Sequence, residues 1–206
     1  MKPAKDIRQD DFYSKRAKEE NYPARSVYKL KEINKKYRII KPGDSVLDIG
    51  CSPGSWMLYL SEKVGRRGNV IGVDLEEPKI ILKDNMKFIK KDIRECADFF
   101  QKKFDVIVSD AAPGTSGIHF IDVAKSLELA QTSLEIVQKA LKLNGNFLCK
   151  IFEGEGTDEF LKEIKTLFSV TKPFRPNAVR KHSREFYLIA TGFKYGKPKN
   201  KNVDVM

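Results

Sequence analysis

Four aspartates lie at or near the ends of four successive apolar runs. Asp48 lies in SVLDIG (45–50), Asp74 in NVIGVDL (69–75), Asp92 ends MKFIKKD (86–92) and Asp110 ends FDVIVSD (104–110). Carboxylates gathered on one rim would accept hydrogen bonds from hydroxyl and amino groups and attract a positively charged ligand. A fifth run, GNFLCKIF (145–152), is interrupted by Lys150. A lysine rarely lies fully buried unless something pairs with it, so Lys150 either points to solvent or serves a site. A lysine in water, with a pKa of about 10.4, is protonated at neutral pH. Burial or a neighbouring like charge lowers that value, and neighbouring carboxylates raise it. An amine among carboxylates is therefore a candidate for proton transfer.

The elements that must carry these residues alternate. The five apolar runs read as strands. Before the fifth, Val123, Leu127, Ala130, Leu134, Val137 and Leu141 form a helical stripe, with Asn144 and Gly145 as its expected stop. Thr157, followed by Asp158 and Glu159, reads as the cap of another helix. Two further strands are expected near SVTKPF and EFYLIATGF. Strands apolar on both faces, alternating with helices, predict an α/β fold around a mainly parallel sheet. Ligands of such sheets gather at the carboxyl ends of the strands, where the four acids and Gly50 are expected.

The first forty residues differ in kind. DDFYSKRAKEENYPARSVYKLKEINKKY (10–37) interleaves Lys and Arg with Tyr and Phe, and from Pro23 onward Val27, Leu30 and Ile33 recur at helical spacing with Lys29 beside the stripe. The expected organisation is a basic helical extension over 1–40 packed on a main domain over 41–194, then a loose lysine-rich tail over 195–206. Of the 206 residues, 39 are Lys or Arg and 28 Asp or Glu, a net charge of +11, which points to a polyanionic partner. Cys51, Cys96 and Cys149 have no CxxC spacing, and with two histidines in the chain no metal site is expected. The polar N-terminus and the lack of a long apolar run predict no membrane association, and a monomeric cytoplasmic protein is expected.

The ligand class follows from the turn DIGCSPGSW (48–56). It has Gly50 and Gly54 but no G-x-G-x-x-G, Pro53 interrupts the pattern, and there is no phosphate-loop lysine. Carboxylates would repel a pyrophosphate, but they suit a ligand with a ribose diol, an adenine amine and a positive charge. S-adenosylmethionine has all three, with Asp74 expected on the ribose hydroxyls and Asp92 on the adenine amino group. The turn SDAAPG (109–114) is not the one commonly used to methylate base nitrogens. No Pro-Cys pair offers a nucleophile, so Cys149 reads as a core residue. A hydroxyl acceptor remains, and it requires a positioned base to take its proton.

Five segments in order, DDFYSKRAKEENYPARSVYKLKEI, LDIGCSPGSW, VSDAAPGTSG, LCKIFEG and SREFYL, resemble the FtsJ/RrmJ family of ribosomal RNA 2′-O-ribose methyltransferases over residues 10 to 193. The resemblance implies a doubly wound, Rossmann-like methyltransferase sheet whose last strand is antiparallel. It implies a catalytic Lys-Asp-Lys-Glu tetrad at Lys29, Asp110, Lys150 and Glu185, with Lys150 as general base. It implies cofactor contacts at Gly54, Trp56, Asp74, Asp92 and Asp110, beside the strand-end residues Asp48 and Gly50. Ser55 stands where many members have a second glycine, and Cys51 and Ser52 replace small alanines. The implied partner is RNA, a uridine of the large ribosomal subunit in particular, and the basic clusters before the fold and before Glu185 single out Arg25, Lys31, Arg180, Lys181 and Arg184 as its expected contacts. Transfer RNA or a messenger RNA cap is the alternative substrate. A nicotinamide-dependent oxidoreductase and a non-catalytic RNA-binding assembly factor are the alternative classes.

Overall fold

Strands that are apolar on both sides must be covered on both sides, and the chain does this by sending successive helices to opposite faces. The computed structural model describes residues 4–100, 103–114 and 116–194, so the tail expected over 195–206 lies outside them. Two helices come first, α1 (Ala4–Glu19) and α2 (Val27–Tyr37). Then follow β1 (Ser45–Ile49), α3 (Ser55–Val64), β2 (Asn69–Asp74), β3 (Met86–Lys90), a 3₁₀ turn (Ile93–Glu95) and β4 (Phe104–Ser109). The chain continues with α4 (His119–Ala140), β5 (Leu141–Phe152), α5 (Thr157–Leu167), β6 (Phe168–Phe174) and β7 (Glu185–Phe193). The seven strands form one sheet in the order β3-β2-β1-β4-β5-β7-β6. Strands β1 to β5 pair in parallel, and β7 runs antiparallel between β5 and β6.

Two cores result. Val46, Val70, Val106, Val108 and Leu148 pack under α2 and α3, together with Tyr187 and Ile189 of β7. Leu47, Ile107, Phe147, Cys149 and Ile151 pack under α4 and α5. Cys149 is thus a core residue, and burial pushes its thiol up to about 12. The order reverses between β1 and β4, the switch point at which sheets of this kind open a ligand cleft.

Three local expectations are corrected. Asn144-Gly145 does not stop α4: the helix ends at Ala140, and β5 begins at once with the fully buried Leu141 opposite Phe104. The pairing then jumps from Phe104↔Leu141 to Val106↔Asn146, so Asn144, at φ 61°, turns within a bulge of β5. Burial of Leu141 against Phe104 fixes the extended chain before the turn residues are reached. Thr157 is not the cap of α5. Gly156 holds that position, while the Thr157 hydroxyl accepts from the Gly154 amide at 3.1 Å and steadies the preceding turn. The basic segment contains two helices, and the second begins at Val27, four residues beyond Pro23.

Helix α2 is fastened to the sheet domain at both ends. The Trp56 indole donates to the Ser26 carbonyl at 3.0 Å, and the Ala24 amide donates to Ser55 Oγ at 2.7 Å. In its last turns, buried Asn34 accepts from the amide of Ile40, beyond the C-terminus, at 3.1 Å and donates to the Tyr59 hydroxyl at 3.2 Å. Asn34→Ala leaves the buried Ile40 amide without that partner, and a loss of about 1–3 kcal/mol is expected in urea denaturation. Unchanged stability would show that this end of α2 is not pinned by Asn34.

Candidate active site

Lys150 is buried, 7% exposed, because its strand leaves it no other direction. Along β5 the side chains alternate between the two cores, and Lys150 shares the α2 face with Leu148. Its amine donates to the Asp110 carbonyl at 2.6 Å and pairs with Asp110 Oδ1 at 3.1 Å. That same oxygen accepts from the Tyr187 hydroxyl at 2.7 Å. Burial pushes the Asp110 carboxyl up, but Lys150, then Lys29, and the Tyr187 hydrogen bond together hold it below its ordinary range. Burial, reinforced by Asp110 and Glu185, pushes the Tyr187 hydroxyl far above its usual value, so it stays a neutral donor.

From α2, Lys29 pairs with Glu185 at the first position of β7, and its ammonium lies 5.8 Å from the centre of the Tyr187 ring. The structure therefore brings Lys29, Asp110, Lys150 and Glu185 together as two ion pairs around one tyrosine. Sequence reasoning missed Tyr187, although strand parity carried the signal: two residues beyond Glu185, it must face the same side.

Beside the tetrad lies a cavity of about 720 Å³ at the carboxyl ends of β1, β2 and β4, lined by Gly50, Ser52, Asp74, Asp92 and Asp110 among others. Asp74 accepts one backbone amide on each oxygen, from Ser52 at 2.9 Å and Glu76 at 3.0 Å. Asp92 is clasped by the guanidinium and amide of Arg94, which hold its carboxyl below the ordinary range. Nothing in the residue pattern pointed to that partner. Gly50, at φ 75°, lies so close to Ala111 that a Cβ would fall 2.7 Å from the Ala111 Cα. The rim is not purely acidic, since Lys79, Lys91, Arg94 and Lys125 also line it.

Three residues expected as cofactor contacts, Asp48, Gly54 and Trp56, do not line this cavity, though Trp56 lines a small neighbouring pocket with Gly50, Ser52 and Asp110. Asp48 pairs in register with Gly72 and Val108, two residues short of Asp74 and Asp110. It therefore lies beneath the rim, fully buried, with neither carboxylate oxygen hydrogen-bonded. Burial first, then the charges of Asp110 and Asp74, push its carboxyl well above the ordinary range. Trp56 is buried between α2 and the Tyr187 ring, 6.0 Å away centre to centre. Gly54, at φ 105°, heads α3 against the Ile80 side chain, where a Cβ would come within 2.8 Å.

The two basic segments meet. Glu32 of α2 accepts from the Asn177 amide and side chain, both at 2.8 Å, and Arg25 donates to the Ala178 carbonyl at 2.9 Å. Arg175 donates to the carbonyls of Arg180 and Glu185, so the loop that carries Arg180, Lys181 and Arg184 is folded around it. Arg184 contacts Nε2 of His119 at 2.6 Å. Lys31, by contrast, pairs with Glu20 and lies over the rings of Tyr22 and Tyr28. Arg25 and Lys31 thus make contacts within the protein itself.

The family model described as FtsJ-like methyltransferase matches residues 22–193. A relative from Desulfatibacillum aliphaticivorans, named ribosomal RNA large subunit methyltransferase E, is 44% identical over 190 residues, covering 90% of this chain and 92% of its own. One of the same name from Desulfosudis oleivorans is 43% identical, covering 91% and 92%. A crystal structure from Plasmodium falciparum, assigned as a ribosomal RNA methyltransferase, superposes with a TM-score of 0.74 at 27% identity, over 85% of this chain and 100% of its own. A fibrillarin/Nop5p complex shares the fold at a TM-score of 0.56 and 17% identity, over 81% and 83%.

Asp48 offers a test of the electrostatics under the rim. Its carboxyl is raised on folding, so the unfolded chain ionises it above a pH of about 4 while the folded chain resists. Its contribution to stability is therefore greatest at low pH and is lost as pH rises. Asp48→Asn removes the ionisation, and the difference in Tm between variant and wild type should be more positive at pH 8 than at pH 4. A difference independent of pH would mean that Asp48 is not raised.

Proposed function

The chain belongs to the FtsJ-like methyltransferase family, and we propose that it transfers a methyl group from S-adenosylmethionine to a ribose 2′-hydroxyl of large-subunit ribosomal RNA. The observation that carries this reading is the buried tetrad at the edge of the cavity: Lys150 paired with Asp110, and Lys29 paired with Glu185. Relatives that cover nine-tenths of the chain and bear the name ribosomal RNA large subunit methyltransferase E support the substrate class.

The cavity suits the cofactor. Its volume falls in the range of about 300–1,000 Å³ usual for small-molecule sites. Each oxygen of Asp74 holds one backbone amide and keeps capacity for another donor, as a ribose diol requires. Asp92 after β3 and Asp110 after β4 supply negative charge on either side of Asp74. Gly50, whose missing Cβ lets the chain pass against Ala111, keeps the floor of the cavity close to β4. When bound, S-adenosylmethionine supplies a methyl group activated by its sulfonium charge.

The remaining work falls to side chains of this protein. The 2′-hydroxyl is a poor nucleophile until its proton has somewhere to go. The step requires Lys150 as the free amine: its Nζ lone pair takes that proton as the ribose oxygen becomes methylated. Asp110, accepting from both Lys150 and Tyr187, fixes the direction of the amine and carries the charge that offsets the resulting ammonium. Lys29, held by Glu185, sets a second positive charge beside Asp110 and lies on the side from which the basic segments approach. The α/β sheet supports these groups from below, and water is kept from them by burial.

Lys150→Ala should lower kcat by about 10²–10⁴-fold, the range expected for a lost general base, while calorimetric affinity for S-adenosylmethionine stays near wild type. More than a tenth of wild-type turnover would remove Lys150 from that role. Labelled methyl groups should appear on isolated large ribosomal subunits and not on bulk transfer RNA, and nuclease mapping should find them on a ribose. Labelling of transfer RNA alone would redirect the substrate while leaving the chemistry intact.

A further inference from the structure

Beyond the tetrad, the strand ends carry a feature that the reaction just described does not use. The turn after β4 passes from the cavity wall, Ala111 to Gly114, into the first residues of α4. Asp122 ties it down: its Oδ1 accepts from the Ser116 amide at 2.7 Å and the Ser116 hydroxyl at 2.8 Å, and Ser116 Oγ accepts from the Ile118 amide at 3.2 Å. Those bonds to Ser116 hold the Asp122 carboxyl below its ordinary range. The fixed turn presents Ile118, 48% exposed, and Phe120, 71% exposed, to solvent. Single exposed apolar residues are common and need no explanation. These two share one turn, and the residue between them, His119, contacts Arg184, the neighbour of Glu185 in the tetrad.

The charge around the pair selects its occupant. The Arg184–His119 contact carries the basic surface from the loop after β6, across the strand ends, to the head of α4. An apolar step at the end of a cationic track suits a ligand that is anionic along its length and flat and apolar at intervals, which is single-stranded nucleic acid. The recess at Lys150 adds a second reason. With that lysine 7% exposed, a ribose reaches it only if its nucleotide leaves the stack of its neighbours. The base beside it then loses one stacking face.

We propose that Ile118 and Phe120 form a shelf on which an unpaired base flanking the methylated nucleotide stacks. The inference rests on the RNA-methylation reading above and assigns a substrate-positioning contact outside the tetrad. Stacking on an aromatic ring is tolerant of base identity, so the shelf contributes affinity and register and leaves the chemical step to the tetrad.

The test compares Phe120→Ala, Phe120→Leu and Phe120→Trp with wild type, using isolated large ribosomal subunits as methyl acceptor. Phe120 is exposed, so all three variants should fold. Phe120→Ala and Phe120→Leu are expected to raise KM for the subunits about tenfold, within the range for one lost stacking contact. Their kcat should stay within about twofold of wild type, and calorimetric affinity for S-adenosylmethionine should not change. Phe120→Trp should keep the wild-type KM, and the emission of its added indole should be quenched by a single-stranded oligoribonucleotide. Wild-type protein, whose only tryptophan is the buried Trp56, supplies the blank. An unchanged KM in Phe120→Ala, or a wild-type KM in Phe120→Leu, overturns the shelf while leaving the proposed reaction standing. Failure of the wild-type protein to methylate any RNA overturns that reaction and the shelf with it.

Discussion

A carboxylate cannot be taken out of water without replacement partners, and Asp110 is the carboxylate that this fold withdraws from water beside its cleft. Desolvation alone would drive it to the neutral acid. Two lysines and a phenol prevent this, and each comes from a different part of the chain: Lys150 from β5, Tyr187 from β7 and Lys29 from α2. Lys29 in turn faces Glu185, so each carboxylate of the buried group has a lysine partner. Removing one member would leave an uncompensated charge, which is costlier than the loss of a single contact.

That requirement explains the architecture around it. Lys29 can reach the tetrad only if α2 is held against the sheet, and Trp56, Ser55 and Asn34 hold it there. Glu185 can meet Lys29 only if β7 starts at the right height, and the loop before it is bound to α2 through Glu32–Asn177 and Arg25–Ala178. The basic N-terminal segment is thus built into the same packed framework as Lys150 and Asp110. Among the described residues no helix is long and apolar enough to cross a membrane.

The rim of the cavity follows the same accounting of charge. Three aspartates on adjoining strands crowd one region, and the one with no hydrogen-bond partner, Asp48, is pushed toward its neutral form. Asp74 and Asp92 find hydrogen-bond partners by different means: backbone amides serve the first and Arg94 serves the second. Asp74, Asp92 and Asp110 therefore line the cavity, while Asp48 lies buried beneath them.

The sequence by itself determined the alternation of strands and helices, the strand that carries each acid, and Lys150 as an anomaly in a core strand, because these depend on periodicity and on the cost of burying charge. Five motifs in order were enough to indicate the family. It did not determine the height of Asp48 beneath the rim, since register between parallel strands is set by packing across the sheet. Nor did it reveal that Leu141 enters β5 ahead of the Asn144 turn, because burial against Phe104 outweighs a local stop signal. Nor did it show that Arg25 also holds the Ala178 carbonyl or that Lys31 pairs with Glu20. Charge in a sequence carries no direction, and only the folded chain decides whether a cation faces solvent or a neighbouring residue. The convergence of Lys29, Asp110, Lys150, Glu185 and Tyr187 likewise belongs to the tertiary structure, because residues more than 150 positions apart meet only when α2 and β7 close on the same strand ends.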